Sequence, residues 1–454
     1  MPESASPALS VDELRRQVEV GDVDTVLVAL TDMQGRLQGK RLHAQYFLDV
    51  VLEHATEGCN YLLAVDVDMN TVEGYAMSSW SSGYGDFVMQ PDLSTLRPVP
   101  WQDGTVLVLA DLRWEDGTEV VASPRQVLAR QRARLAESGL TAYVGTELEF
   151  IVFRDTYEQA WSAGYRDLTP ANQYNVDYSL LGTARIEPLL RRIRNCMAGA
   201  GLTVESAKGE CNLGQHEIAF RYDEAGVACD GHVFFKNGAK EIAAQEAMAL
   251  TFMAKYDARE GNSCHIHCSF RGADGELVLA EGDGLSDVGR SFVAGQLRYM
   301  RELTLLLAPN INSYKRYVEG SFAPTALRWG RDNRTCAFRL VGHGPSLRLE
   351  NRIPGGDVNP YLATAAVIAA GLAGIEEKLD LEAASEGNAY GDLDAPRVPT
   401  NLSEARDLWQ ASAFARRVFS DEVVDHYANM ATVELAAFGR AVTDWERVRG
   451  FERL

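Results

Sequence analysis

The chain has 454 residues, 46% of them hydrophobic, with 44 basic against 64 acidic side chains and a net charge of −20. That length and composition can bury a large core and fit two domains of unequal size, while the negative charge repels nucleic acid and anionic membranes and excludes both as partners. Residues 1–10 are polar and rich in Pro and Ser, so no secretory signal is expected, and the longest apolar run, 363–375, is shorter than a membrane helix of roughly 20 residues.

In chain order, apolar periodicity predicts a helix over 11–20, then strands over 25–30 and 36–42 joined by the turn Asp32-Met33-Gln34-Gly35. A loop rich in Ser, Gly and Tyr follows at 74–90, and a strand at 105–112 enters the hairpin turn Glu115-Asp116-Gly117. Ser123-Pro124 is expected to cap a helix over 125–137, which places a boundary between a small β-rich unit, 1–118, and a large α+β unit, 119–454. The second unit is expected to contain a strand 141–153, a loop 154–182, a helix 185–200, strands 202–208 and 216–222, and a helix 238–253. Strand 264–270, helix 286–307, a loop-rich stretch 308–335, strands 336–341 and 346–352, a buried Ala-rich helix 359–378 and a helical tail complete it. Seven scattered cysteines with no CxxC pair point to a reducing compartment, the cytoplasm by default.

Four segments carry chemistry. Glu147 and Glu149 sit at i and i+2 in an otherwise apolar strand, so both carboxylates share one face. Such a face needs cations if it is buried, and a metal pair would supply them; a solvated polar face explains the alternation equally well. Glu210 and Glu217 flank the turn-forming Asn212-Leu213-Gly214, and a hairpin there would bring the two acids together. His265 and His267 repeat the i, i+2 pattern with imidazoles, two of only eight in the chain. A mixed carboxylate and imidazole set with no cysteine spacing for zinc suits magnesium or manganese. Finally, Arg316, Arg334 and Arg339 precede a strand on which Arg348, Glu350 and Arg352 share a face, one acid between two forks suited to anions. A salt-bridge ladder would explain that strand equally well.

Taken together and in this order, these segments resemble the type I glutamine synthetase family over residues 24–454. The resemblance implies a small β-grasp-like domain packed on a large catalytic domain built on an antiparallel sheet. It also implies assembly into rings, two stacked hexamers, with each active site between neighbouring subunits and the C-terminal segment 442–454 used in assembly. The activity implied is ATP-dependent ligation of an amine to the γ-carboxylate of L-glutamate, with two or more magnesium or manganese ions per site.

By that resemblance, Glu149, Glu210 and Glu217 hold one divalent ion and Glu147, His265 and Glu350 the other. Glu205, His267 and Ser269 match positions near the nucleotide, and Arg334 and Arg339 match positions near its phosphates. Arg316 and Gly261 match glutamate-binding positions, Arg352 would hold the γ-carboxylate and its phosphorylated form, and Arg334 and Arg352 are the expected catalytic pair. The family's Asn-Gly-Ser-Gly loop reads Glu260-Gly261-Asn262-Ser263 here.

Two departures bear on the acceptor. Ammonia-using members carry a glutamate just before Ala-Pro, where this chain has Phe322 before Ala323-Pro324. The aspartate they donate from an Asp-Gly-Ser-Ser loop is missing from the nearest match, Ala76-Met77-Ser78-Ser79. A phenyl ring cannot accept a proton from ammonium. The resemblance is therefore strongest to the γ-glutamylamide synthetases of amine assimilation or detoxification, with ethanolamine favoured over polyamines such as putrescine and Glu319 a candidate base. No adenylylation is expected at Tyr390.

Overall fold

The computed structural model describes residues 9–454; of the polar opening segment, residues 1–8 lie outside the described residues. Helix Val11–Val20 starts where Ser10 accepts a hydrogen bond from the Glu13 amide, with Asp12 and Glu13 in the first turn facing the positive end of the helix dipole.

The first sheet has six strands. Leu37–His43, Thr25–Thr31, Thr105–Arg113, Asp86–Pro91 and Thr56–Cys59 lie in that spatial order, and Arg97–Pro98 pairs with Thr105–Arg113. The hairpin between Thr25–Thr31 and Leu37–His43 is antiparallel, whereas Thr25–Thr31 runs parallel to Thr105–Arg113. Its turn forms because the Asp32 carboxylate accepts from the amides of Gln34 and Arg36, and because Gly35 has a φ of 78°. Asp86–Pro91 was expected as loop; Phe87, Met89 and Pro91 are buried in alternation, a strand pattern concealed by the Ser-rich stretch before it.

The second sheet has nine strands. Trp329–Arg331, Phe338–Val341, Arg348–Asn351, Cys264–Arg271, Thr141–Phe153, Gln215–Phe220 and Val204–Gly209 follow one another, and the short Asp223–Glu224 and Ala249–Thr251 also pair with Thr141–Phe153. Every pairing is antiparallel except that of Trp329–Arg331 with Phe338–Val341.

Helices Pro124–Glu137, Ala225–Gln245, Asp287–Leu307 and Pro360–Glu376 supply most of the remaining core. Ser123 stands at the cap of the first, but its hydroxyl makes no capping bond; Pro124, which needs no amide partner in the first turn, starts the helix. The Ala-rich helix is buried from Pro360 to Gly374, and its small residues let it approach Asp287–Leu307 closely: a Cβ on Gly374 would lie 2.1 Å from the Ser291 carbonyl oxygen.

The helix expected over 238–253 is Ala225–Gln245 instead, and 249–251 is a strand. Gly226, Gly231 and Gly238 weaken the helical pattern before Lys240, yet Glu224 caps the helix at the Gly226 amide and Cys229, Val233, Phe234 and Ile242 are buried. The stretches expected as loops at 154–182 and 308–335 contain the helix Tyr157–Ser162 and the strand Trp329–Arg331.

Polar contacts tie the elements around the two sheets together, among them those of Asn359 and Arg125. The Asn359 side chain donates to the carbonyls of Asp32 and Met33, both at 3.1 Å. Arg125 reaches Asp92 at 2.7 Å and Asp111 at 2.6 Å on the first sheet and Asp230 at 2.8 Å on the second unit's long helix. Such a nearly buried, multiply paired guanidinium fixes the relative orientation of the elements it joins. All seven cysteines are free, and no helix among the described residues is long and apolar enough to cross a membrane.

Candidate active site

The central strand of the second sheet, Thr141–Phe153, places Glu147 and Glu149 on one face. His265 is the register partner of Glu147 on one side, and Glu217 is the partner of Glu149 on the other. The turn after Val204–Gly209 closes with Glu210 donating its amide to the Gln215 carbonyl, which brings Glu210 beside Glu217. Oxygen atoms of Glu149, Glu210 and Glu217 then lie within 4.8 Å of one another, as do ligand atoms of Glu147, His267 and Glu350. The second group differs from the expected one by including His267, while His265 Nδ1 stands 3.2 Å from both Glu147 and Glu350. Both imidazoles therefore face the same carboxylates.

These acids strain one another electrostatically. Burial together with the charges of Glu147, Glu149 and Glu350 pushes the Glu217 carboxyl up to about 8, against partial relief from Lys208. Glu147 is half-buried, but hydrogen bonds from His265 and His267 outweigh that desolvation and hold its carboxyl far below the usual range. For Glu350, burial is outweighed by His265 and Arg352, and its carboxyl stays low. Glu149 is oriented by the Ser263 amide at 2.8 Å, the Ser263 hydroxyl at 2.5 Å and Gln215 Nε2 at 3.0 Å. Crowded carboxylate oxygens with imidazoles at their edge, short of positive charge, fit hard divalent cations such as magnesium or manganese.

Glu147, Glu149, Glu210, Glu217 and Glu350 line a cavity of about 370 Å³ together with the cations Arg316, Arg334, Arg339 and Arg352. Arg339 bonds Glu350 at 2.9 Å; Arg352 bonds Glu350 and the Phe322 carbonyl and keeps a buried Nε without a partner. Arg316 is held by the carbonyls of Arg352, Ile353 and Pro354 at 2.8 to 2.9 Å, so part of its fork is committed to the backbone. Arg334 is exposed at the rim. Gly261 lines the same cavity with no room to spare, since a Cβ there would meet the Ala254 carbonyl oxygen at 2.2 Å and Arg316 Cγ at 2.9 Å.

A second cavity of about 440 Å³ shares Glu147 with the first. Glu205, His267 and Ser269 line it, together with the aromatic pair Tyr143 and Tyr222 and two further arginines, Arg271 and Arg348. Arg348 donates to His267 Nδ1 at 3.1 Å, so the other ring nitrogen faces Glu147 at 2.9 Å. Phe322, with a φ of 59°, lines the first cavity, whereas Glu319 is exposed and belongs to neither. Tyr390 is buried, its hydroxyl donating to the Ala323 carbonyl at 3.0 Å.

Several lining residues were not foreseen. Gln215 shares the strand face of Glu217 and was open to the alternation argument; Ser263, Lys208, Asp177 and Tyr178 carry no periodic signal. The last two come from the long loop after Thr141–Phe153.

Comparison with known proteins agrees over nearly the whole chain. Residues 121–449 match the family model for the glutamine synthetase catalytic domain. The sequence is 68% identical to a gamma-glutamylethanolamide synthetase of Streptomyces coelicolor, over 99% of this chain and 97% of that protein. It is 37% identical to a glutamate–isopropylamine ligase of a Pseudomonas species, over 96% and 97%. The solved complex of GmaS with ADP has a TM-score of 0.85 and 26% identity, covering 97% of this chain and 99% of that one.

Proposed function

The chain belongs to the glutamine synthetase family, and from that premise we propose that it joins the γ-carboxylate of L-glutamate to a small primary amine, ethanolamine first among them, using ATP. The observation that carries this reading is the cluster of Glu149, Glu210 and Glu217 beside Glu147 and Glu350 in a cavity also lined by four arginines, with His267 reaching Glu147 from the adjoining cavity.

In this reading the second cavity takes the nucleotide, with its base between the aromatic pair Tyr143 and Tyr222 and its phosphates pointing past Glu147 into the first cavity. Glu205, His267 and Ser269 face the nucleoside; Arg334 and Arg339 face the phosphates. When bound, divalent ions supply positive charge against which phosphate oxygens are aligned and neutralised. Arg316 and Gly261 receive the amino-acid end of glutamate, and Arg352, with its free Nε, holds the γ-carboxylate. The γ-carboxylate oxygen takes the terminal phosphoryl group and ADP leaves. The amine nitrogen then attacks the carbonyl carbon of the phosphorylated γ-carboxyl group, loses a proton, and expels phosphate with one original carboxylate oxygen.

Phe322 supports an organic acceptor. It places an apolar ring where a carboxylate would bind ammonium, and relatives carry names that specify ethanolamide, isopropylamine and methylamine products or substrates. The exposed apolar side chains Trp445, Val448, Phe451 and Leu454 support assembly into rings, with the acceptor side of the cavity completed by a neighbouring subunit. Running the reaction with glutamate labelled by ¹⁸O in the γ-carboxylate tests the chemistry. Label in the released phosphate is the expected result, and unlabelled phosphate would exclude an acyl-phosphate route.

A further inference from the structure

Lys208 is the one lysine lining the cavity that holds the Glu149/Glu210/Glu217 group. It lies on Val204–Gly209 as the register partner of Glu217. Its Nζ donates to Glu210 Oε1 and stands 3.8 Å from Glu217 Oε2, with the Tyr178 ring centroid 5.0 Å away. The ammonium thus sits among two of the three carboxylates of the Glu149/Glu210/Glu217 group.

We propose that Lys208 is a tethered counter-ion for this group, which a divalent cation must displace from Glu210 and Glu217 in order to bind. The proposal rests on reading those three acids as an ion-holding group. Two cations cannot share the same carboxylate oxygens at contact distance without strong repulsion. The carboxylates are also more deeply buried than the lysine: their side chains are 13% and 9% exposed against 24% for Lys208. Nζ is the mobile partner, on a flexible four-carbon stem. Its exit lies toward the cavity mouth, where the exposed Tyr178 ring offers a cation-π surface already within reach. In the metal-free protein the lysine stabilises crowded acids; in the loaded protein it competes with the ion and sets its affinity.

Titrating manganese into the metal-free, full-length protein by calorimetry, with thermal melts in parallel, tests this. Lys208→Met is expected to bind manganese at least about tenfold more tightly, because the ion no longer breaks a charge-assisted hydrogen bond. The metal-free variant should melt below wild type, and saturating manganese should close that gap. Lys208→Gln repeats the test with a polar side chain, and Lys208→Arg, which keeps the charge, should bind as wild type does. Unchanged or weaker binding in both neutral variants would overturn the proposal. Glu149→Ala separates the two readings: if it binds manganese as tightly as wild type, the three acids are not an ion group, whatever the lysine variants do.

Discussion

Glu149 and Glu217 face each other as register partners on adjacent strands, both at least nine-tenths buried, with no lysine or arginine within ion-pair distance of Glu149. Like-charged side chains opposite one another destabilise a sheet unless a cation intervenes. The pair is therefore where loss of one carboxylate should be felt most.

Glu149→Ala is expected to lower ATP turnover by at least about 100-fold. It also leaves the Ser263 amide and hydroxyl without their acceptor, at about 1–3 kcal/mol of stability for each unpaired buried group. Steady-state phosphate release and a denaturant titration separate the two effects.

Arg352→Lys should not rescue Arg352→Ala. A lysine cannot hold Glu350 and the Phe322 carbonyl while presenting a planar edge to a carboxylate. Both variants are expected to lose about 100-fold or more in kcat; a lysine variant within fivefold of wild type would remove Arg352 from the reacting centre.

Gly261→Ala drives a methyl group into the Ala254 carbonyl oxygen and Arg316 Cγ. The expected result is a raised KM for glutamate with KM for ATP little changed, measured by varying each substrate separately. The loop and the arginine must shift together.

Replacing Phe322 with Glu keeps the left-handed backbone, with its φ of 59°, available at the same modest strain while restoring a carboxylate to the cavity wall. Activity with ammonium should rise and kcat/KM with ethanolamine should fall by about tenfold or more. Comparing the two amines in one assay decides it.

Acid should destabilise the fold through buried histidines outside the ligand groups, His232 and His426 among them. Burial, with Lys236 nearby, lowers His232 to about 3, and burial lowers His426 to about 4. Both stay neutral in the folded chain while the unfolded chain takes up protons below about 6.5, so stability falls as pH drops from there toward 4. Each contributes roughly 1.4 kcal/mol per pH unit in that window. Chemical denaturation at pH 7, 6 and 5 should show the slope, and His426→Gln should make it shallower.

Much of the site was legible because strands impose a period of two. Glu147 with Glu149, and His265 with His267, could be placed on shared faces before any geometry was known, and the turn at Asn212 explained how Glu210 reaches Glu217. What stayed hidden depends on contacts between distant segments. Lys208 sits next to the acids only because Val204–Gly209 pairs with Gln215–Phe220, and Asp177 and Tyr178 arrive on a loop without periodicity. The helix Ala225–Gln245 was misplaced because three glycines lower its local propensity, while burial of Cys229, Val233 and Phe234 outweighs that deficit. The Arg348 bond that leaves the other ring nitrogen of His267 for Glu147 is likewise a contact between strands 81 residues apart in the chain.

The most direct measurement is phosphate release from ATP by the purified protein with glutamate and magnesium, comparing ethanolamine, putrescine, spermidine, ammonium and no amine side by side. The expected result is strong release with ethanolamine and little with ammonium. Release that responds to ammonium alone, or to no acceptor at all, would contradict the assignment of this cavity to the ligation of an organic amine.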